Sequence, residues 1–248
     1  MKRVLLHAAV LTLLAAAAVG GLLAWRMRPW RAAVSVNGHA ISARELDMRA
    51  QTLLDDARRV EHLVYAKGRE REALDYYRRE AAKMWIVKEV LLAEALARGY
   101  EASPADEKES LVQMAARLKS RNLTPEQFFK EGPIPEDVKR RDFREGVLIS
   151  KFTAREVRDK ISVTPKEIDE RLAELKKADL ALAGNGRRPT ASRKAAIDSL
   201  RAERFREGFR ALFRSLYVKA QVRCPDYPEL ETLDGVSPPR QGDKEQKK

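Results

Sequence analysis

The stretch AVSVNGHAISAREL, residues 33–46, decides how the folded part of this chain begins. The alternation of valine with serine at its start predicts a short strand. Asn37-Gly38 is typical of a tight turn, and Ile41 adds one apolar contact beyond it. Because unpaired backbone groups are costly when they are buried, this short strand needs a partner in another part of the chain.

The other strand pattern lies near the far end of the sequence. Residues 217–222, YVKAQV, alternate between apolar and polar until Pro225 and Pro228 stop the pattern. We therefore expect the first and last segments of the folded part to pair with each other and to close it.

Helices account for most of the sequence between these two strands. Ser42 and Glu45 have the spacing of a capping box, which predicts a helix start. Ser103, Thr124 and Thr164 are each followed by proline and, two residues later, by an acid or an amide, which is the same capping chemistry. The predicted helices span about 42–64, 70–98, 103–120, 124–131, 135–160, 164–177 and 190–216. The expected fold class is mainly α.

The charge of the chain leaves two classes of partner open. Lys and Arg outnumber Asp and Glu by 49 to 37, which gives a formal charge of +12. Such an excess often accompanies nucleic acid or anionic membranes. Here basic and acidic residues are interspersed at helical spacing, as on a solvated helical surface, and no known nucleic-acid-binding motif occurs. A nucleic-acid-binding helical protein remains an alternative, supported by the cluster Lys139-Arg140-Arg141.

The first 32 residues resemble a membrane anchor or an export signal. Residues 4–25 form an apolar run after Met1-Lys2-Arg3, and about 20 residues suffice to span a bilayer. The small residues at 15–18 also fit a cleavable signal peptide. The positive-inside rule alone would keep the body in the cytoplasm, because more basic residues follow the run than precede it. The residues typical of a membrane interface are Trp25, Trp30, Arg26, Arg28 and Arg31.

The sequence predicts neither a catalytic group nor a bound cofactor. Cys224 is the single cysteine, so an intramolecular disulfide and a cysteine metal site are excluded. The histidines at 7, 39 and 62 have no metal-ligand partner three or four residues away. We expect no metal and no cofactor.

The order of the motifs resembles the SurA-type periplasmic chaperones and their relatives, the PpiD and PrsA foldases. In that family VNG followed by I-[ST]-x-x-E-[LF] opens the chaperone domain, as residues 36–46 do here. LARGYEASPADEKESL at 96–111 and RDKISVTPKEIDERLAEL at 158–175 resemble the family's interhelical turn and its exit segment. The resemblance covers residues 34–175 and the returning helix and strand at 190–223.

The chain departs from this family where the parvulin-type isomerase domain would be inserted. Residues 176–189 are too few for that domain, so we expect no isomerase activity although the family name carries the label. The predicted divisions are a leader at 1–32, a helical chaperone domain at 33–177 and a linker at 178–189. A returning helix and strand at 190–224 complete the domain, and a disordered tail follows at 225–248.

The resemblance implies an ATP-independent holdase, a chaperone that binds unfolded or nascent exported polypeptides without chemistry. Its expected location is the bacterial inner membrane, facing the periplasm, or the soluble periplasm if the leader is cleaved. Anionic lipids are a further expected partner of the basic leader, and a membrane-tethered adaptor is an alternative function. For each client-binding candidate, the more common role of such a side chain is that of an ordinary core residue. The candidates are Met84, Trp85, Met114, Leu118, Phe128 and Phe129, of which the two phenylalanines are favoured.

Overall fold

The computed structural model describes residues 31–60, 68–182 and 191–236. Within them the chain is mainly helical with one small sheet, which confirms the fold class predicted from the sequence. The strands are β1 (Ala32–Val36), β2 (His39–Ser42) and β3 (Val222–Arg223). The helices are α1 (Ala43–Val60), α2 (Glu70–Ala97), α3 (Pro104–Leu118), α4 (Pro125–Lys130), α5 (Glu136–Glu156), α6 (Pro165–Leu182), α7 (Arg193–Tyr217) and α8 (Leu233–Val236).

The sheet joins the two ends of the described chain. Its strand order is β2-β1-β3, and β1 is antiparallel to both of its neighbours. Val36 lies opposite Val222, so the predicted pairing of the first and last segments is confirmed. Asn37 extends this pairing, because its N–H donates to the Gln221 carbonyl at 3.0 Å and its Oδ1 accepts from the Gln221 N–H at 2.8 Å.

Two details of the predicted strands are wrong. The first strand is not alone at its own end of the chain, because Asn37 and Gly38, with φ of 51° and 85°, form a hairpin turn to β2. The last strand does not begin at Tyr217, which is the final residue of α7. Phe213, Leu216 and Tyr217 are all buried at helical spacing, and this packing outweighs the short alternating pattern that follows them.

The predicted helix caps are present at three helix starts. In α3 the Ser103 hydroxyl accepts from the Asp106 N–H, and the Asp106 carboxylate accepts from the Ser103 N–H. The pairs Thr124 with Gln127 and Thr164 with Glu167 make the same reciprocal bonds at α4 and α6. These local bonds satisfy amide groups that a helix start leaves without an intrahelical partner.

Helix α2 ends as the sequence predicts. Gly99 has a φ of 72°, and the Tyr100 N–H donates to the Ala95 carbonyl at 3.0 Å. Glycine adopts this left-handed backbone without steric cost, which allows the chain to leave the helix at this point.

The described residues form two compact units. The first comprises residues 31–86 (without 61–67), Glu131–Pro135 and Gln221–Val236, and the second comprises Val87–Lys130 together with residues 136–220 (without 183–190). The predicted single domain at 33–177 with 190–224 is thus divided differently, because α7 belongs to the second unit and β3 to the first. Residues 178–182, predicted as linker, continue α6 to Leu182.

The predicted disordered tail is wrong for residues 225–236. Tyr227, Leu230 and Val236 are buried, and a 3₁₀ turn at Pro228–Glu231 leads towards α8. Prolines stop a strand, but Pro228 fits the first position of a helical turn, where no backbone donor is needed. Residues 237–248 lie outside the described part of the chain.

Residues 1–30 of the predicted leader also lie outside the described residues, including Trp25, Arg26, Arg28 and Trp30. Of the five predicted interface residues the structure describes Arg31, whose guanidinium pairs with the Asp226 carboxylate. No helix among the described residues has both the length and the apolar character needed to cross a bilayer.

Candidate functional site

The six residues predicted to contact clients are divided between the two units and differ in exposure. Met84 in the first unit is 60% exposed, whereas its neighbour Trp85 is buried. In the second unit Met114 and Phe128 are half-buried, and Leu118 is buried. Burial of Trp85 and Leu118 fits the alternative interpretation, in which they are core residues.

The adjacent phenylalanines of α4 have different environments. Phe129 is only 1% exposed and lies between Phe128 and Phe143, with each pair of ring centroids 5.8 Å apart. The Arg140 guanidinium lies over the Phe129 ring at 4.6 Å, and the Lys139 ammonium lies 5.3 Å from the Phe128 ring. Phe129 therefore holds α4 against α5, and only Phe128 has surface available to a ligand.

An opening lies in the second unit, between the C-terminal end of α5 and the middle of α7. We call it the α5–α7 cleft, and its volume is about 530 Å³. Its apolar lining consists of Ala154 on α5, Ile161 beyond the following 3₁₀ turn, and Ala202 and Phe205 on α7. Ile161 and Phe205 are half-buried, so each presents apolar surface to the opening.

Gly208 allows α7 to pack closely beside this cleft. A Cβ atom at position 208 would lie 2.7 Å from Cγ1 of Val157, the buried residue that follows α5. Real Cβ atoms do not approach other atoms so closely, so the missing side chain permits the contact. Phe205 precedes Gly208 by almost one helical turn and lines the opening next to this contact.

An aromatic row connects the cleft to the core of the second unit. Phe205, Phe209, Phe213 and Tyr217 recur every four residues along α7, with successive ring centroids 6.1, 6.4 and 5.5 Å apart. Phe213 and Tyr217 are each 5% exposed, whereas Phe205 and Phe209 are half-buried. The buried end of the row fixes the helix, and the other end provides the aromatic surface of the cleft.

The rim of the cleft is polar and carries an excess of positive charge. Arg158 and Asp159 lie side by side, with Nε and Oδ1 3.4 Å apart, and Arg201 faces them from α7. Arg201 makes no ion pair with any residue that the structure describes. The Thr153 hydroxyl is already used by its own helix, where it donates to the Ile149 carbonyl at 2.9 Å.

Two groups of ion pairs in the second unit connect its helices. Hydrogen bonds from Lys151 and from Ser103 hold the pKa of the Asp106 carboxyl well below its usual range. Burial lowers the pKa of Lys88, but hydrogen bonds to Glu145 and Asp142 outweigh it, so that this pKa is raised. These ion pairs join α3 and α2 to α5, and we assign them a structural role.

Cys224 has no sign of nucleophilic activation. It is fully buried in the first unit, and burial raises the pKa of its thiol to about 11. A thiol with such a pKa stays protonated near neutral pH and is a poor nucleophile. No group of three or more metal-ligating side chains occurs among the described residues.

Comparison of this chain with family profiles and with curated proteins gives no match. The resemblance to SurA-type chaperones therefore remains a prediction.

Sequence reasoning predicted the helix at 190–216 but did not select Phe205 or Arg201 as site residues. One signal was available, because aromatic residues at 205, 209, 213 and 217 recur at helical spacing and Gly208 lies among them. The periodicity indicates which residues share a face. It does not indicate which end of that face is covered, because that depends on the position of α5.

Proposed function

We propose that this chain is an ATP-independent chaperone of the holdase type. In this proposal it binds unfolded or nascent exported polypeptides in the bacterial cell envelope and catalyses no prolyl isomerisation. The order of sequence motifs supports the family, and the α5–α7 cleft provides a binding surface. The observation that carries the proposal is the half-buried Phe205, which forms an aromatic floor in an open cleft with a polar rim.

The size and lining of the cleft suit a side chain of an extended polypeptide. Its volume of about 530 Å³ falls within the range of small-ligand sites and exceeds the volume of any single side chain. An apolar floor recognises the apolar side chains that a folded protein would bury, with little regard to their identity. Polar groups at the rim can form hydrogen bonds with the backbone N–H and C=O groups that an unfolded segment exposes.

The energy available from one such contact agrees with reversible binding. Burial of one phenylalanine or leucine side chain contributes about 1.5–3 kcal/mol, which alone gives only weak affinity. Two or more such contacts on one chain raise the affinity through effective concentration. Half-buried Phe128, which belongs to the same unit as the cleft, is a candidate for an additional contact. A client held in this way can leave without ATP.

The proposal is tested by preventing the aggregation of a denatured client. The full-length chain, reconstituted in phosphatidylcholine nanodiscs, is mixed with chemically denatured citrate synthase, and light scattering is followed during dilution. We expect stoichiometric amounts to suppress scattering and Phe205→Ser to lose most of this effect. Leu180→Ser is the matched control, because Leu180 is 77% exposed and lies outside the cleft. No suppression by the wild type, beyond that of empty nanodiscs, would refute the proposal.

The absence of isomerase activity requires its own measurement. A proline-containing tetrapeptide assay with the same preparation should show the uncatalysed rate only. Turnover that rises with protein concentration and survives Phe205→Ser would show an enzyme elsewhere in the chain. Tight DNA binding with a steep dependence on salt would instead favour the nucleic-acid-binding alternative.

The proposed location has a direct test. A reporter enzyme that is active only outside the cytoplasm is fused to the C-terminus of the full chain. We expect activity in intact cells and recovery of the fusion in the membrane fraction. Activity in the soluble periplasmic fraction would instead indicate a cleaved leader, and an inactive but stable fusion would place the body in the cytoplasm.

A further inference from the structure

We propose that the α5–α7 cleft prefers polypeptide segments in which an acidic residue lies two positions from an apolar residue. This inference rests on the proposed function, because it specifies the class of segment that the same cleft binds. Two residues of α7 carry it, Phe205 in the floor and Arg201 at the rim.

The spacing of these two residues corresponds to that of an extended polypeptide. Arg201 and Phe205 are four residues apart on α7, so their side chains start about 6 Å apart on one face of the helix. In an extended chain, residues i and i+2 point to the same side and lie about 6.6 Å apart. An apolar side chain over Phe205 therefore places the side chain two positions away beside Arg201.

The charges at the rim favour an acid at that second position. Arg158 already has Asp159 at 3.4 Å, whereas Arg201 makes no ion pair with any described residue. Glu203, the nearest acid after it on α7, pairs instead with Arg171 of α6. The guanidinium of Arg201 thus keeps its donors for a ligand carboxylate, which it can bind with two parallel hydrogen bonds.

The same charges disfavour basic segments. Helix α7 carries seven arginines and lysines against three acids, and both arginines of the rim lie at the opening. A client lysine beside Arg201 would meet like charge, and the one acid of the lining, Asp159, already pairs with Arg158. Selectivity then results from repulsion as well as attraction.

The test compares three dye-labelled peptides of fifteen residues, each with one phenylalanine in a Gly/Ser background. They carry glutamate two positions from the phenylalanine, lysine at that position, or glutamate six positions away. Fluorescence anisotropy measures their binding to the full-length chain in phosphatidylcholine nanodiscs at low ionic strength. We expect the first peptide to bind about three- to tenfold more tightly than the second, and the third to fall between them. The preference should shrink in 0.5 M NaCl.

Two charge-reversal variants locate the effect. Arg201→Glu is expected to invert the order of the glutamate and lysine peptides, and it leaves the core intact because Arg201 is exposed. Arg210→Glu makes the same change at an exposed position of α7 outside the cleft and should keep the wild-type order. If both variants weaken the glutamate peptide equally, the preference comes from the overall charge and the inference is refuted.

The remaining outcomes separate this inference from the proposed function. Equal binding of all three peptides, with loss of all three in Phe205→Ser, would refute the acid preference and keep the cleft as an apolar binding site. Failure of every peptide to bind, together with failure to suppress aggregation, would refute both. If a DNA duplex displaces the glutamate peptide from the wild type but not from Arg201→Glu, Arg201 recognises phosphate and the inference is also refuted.

Discussion

The C-terminal residues of the first unit and the α5–α7 cleft of the second unit use similar side chains in different ways. We call β1, β3 and residues 224–236 the terminal latch. There Leu230 is fully buried, and the Tyr227 hydroxyl donates to the Asp75 carboxylate at 2.8 Å. In the cleft Phe205 is half-buried, and Arg201 makes no ion pair with any described residue.

This difference separates residues that stabilise the fold from residues that can bind a ligand. The partners of the latch residues are supplied by the chain itself, so their interactions contribute to the free energy of unfolding. Cleft residues keep apolar surface and hydrogen-bonding capacity that folding does not use. Substitutions in the latch should therefore lower stability, and substitutions in the cleft should mainly lower binding.

The largest contrast is expected within the aromatic row of α7. Phe213→Ala should lower the free energy of unfolding by about 3–5 kcal/mol, because Phe213 is 5% exposed and truncation leaves a cavity. Phe205→Ala should cost less, about 1–2 kcal/mol, because Phe205 is only half-buried and less apolar surface is lost from the interior. Urea unfolding followed by circular dichroism measures both. Equal costs would mean that Phe205 is a core residue and that the cleft does not present it to a ligand.

The second contrast concerns the segment predicted to be disordered. Leu230→Ala should destabilise the first unit by about 3 kcal/mol, since Leu230 is fully buried. Leu180→Ala is the same substitution at an exposed position of α6, and it should change stability by less than about 0.5 kcal/mol. Fluorescence of Trp85, in a background with Trp25 and Trp30 replaced by phenylalanine, reports on the first unit. Identical unfolding midpoints for the two variants would mean that residues 225–236 are not packed against the first unit.

A smaller effect is expected from the charged part of the latch. Asp226 accepts hydrogen bonds from Arg31 and from Arg78, the latter at 3.3 Å. Asp226→Asn should lower the free energy of unfolding by about 1 kcal/mol, because it removes one charge from a partly buried network. The effect should decrease at high salt. Asp234→Asn provides an exposed control in the same segment, and a cost as large as that of Asp226→Asn would argue against the network.

The smallest effect concerns the pH dependence of the capping box of α3. The folded pKa of Asp106 lies below its ordinary value of 3.8, so its carboxylate stabilises the fold above about pH 4. That contribution is lost as the pH falls through the folded pKa. Thermal unfolding between pH 2.5 and 7 should show Asp106→Asn to be less stable than the wild type at pH 7, with the difference shrinking as the pH falls below about 4.

The hydrogen bond from Lys151 contributes most to lowering the pKa of Asp106, so substitution of Lys151 provides a second variant. Lys151→Met should move the acid-induced loss of stability to higher pH, because the pKa of Asp106 returns towards its ordinary value. Unchanged acid sensitivity in both variants would assign the loss to other carboxylates of the chain.

The features that the sequence predicted correctly depend on neighbouring residues or on the hydrogen bonds that backbone groups require. The caps at Ser103, Thr124 and Thr164 are examples, since each involves residues only three positions apart. The pairing of β1 with β3 followed from the cost of unpaired backbone groups. The start of β3 did not follow, because a six-residue alternation at 217–222 is too short to outweigh the helical packing of Phe213 and Tyr217.

The sequence did not predict most residues of the candidate site, because their exposure depends on packing between distant helices. The sequence favoured Phe128 and Phe129 as adjacent phenylalanines on a short helix, and the structure buries the second of them against Phe143. Phe205 belongs to the aromatic row of α7, and no feature of the sequence marked it as the accessible member. Exposure depends on where another helix ends, and α5 ends beside Phe205 rather than covering it.

The sequence by itself determined the helical class, the positions of the helix caps, the Asn37-Gly38 turn and the excess of positive charge. Each of these depends on local backbone preferences or on composition, which act within a few residues. Only the tertiary structure decided that residues 225–236 are packed, that α7 and β3 belong to different units and that Phe205 lines a cleft. These properties depend on contacts between distant segments, where burial of a side chain is determined by the shape of its partner.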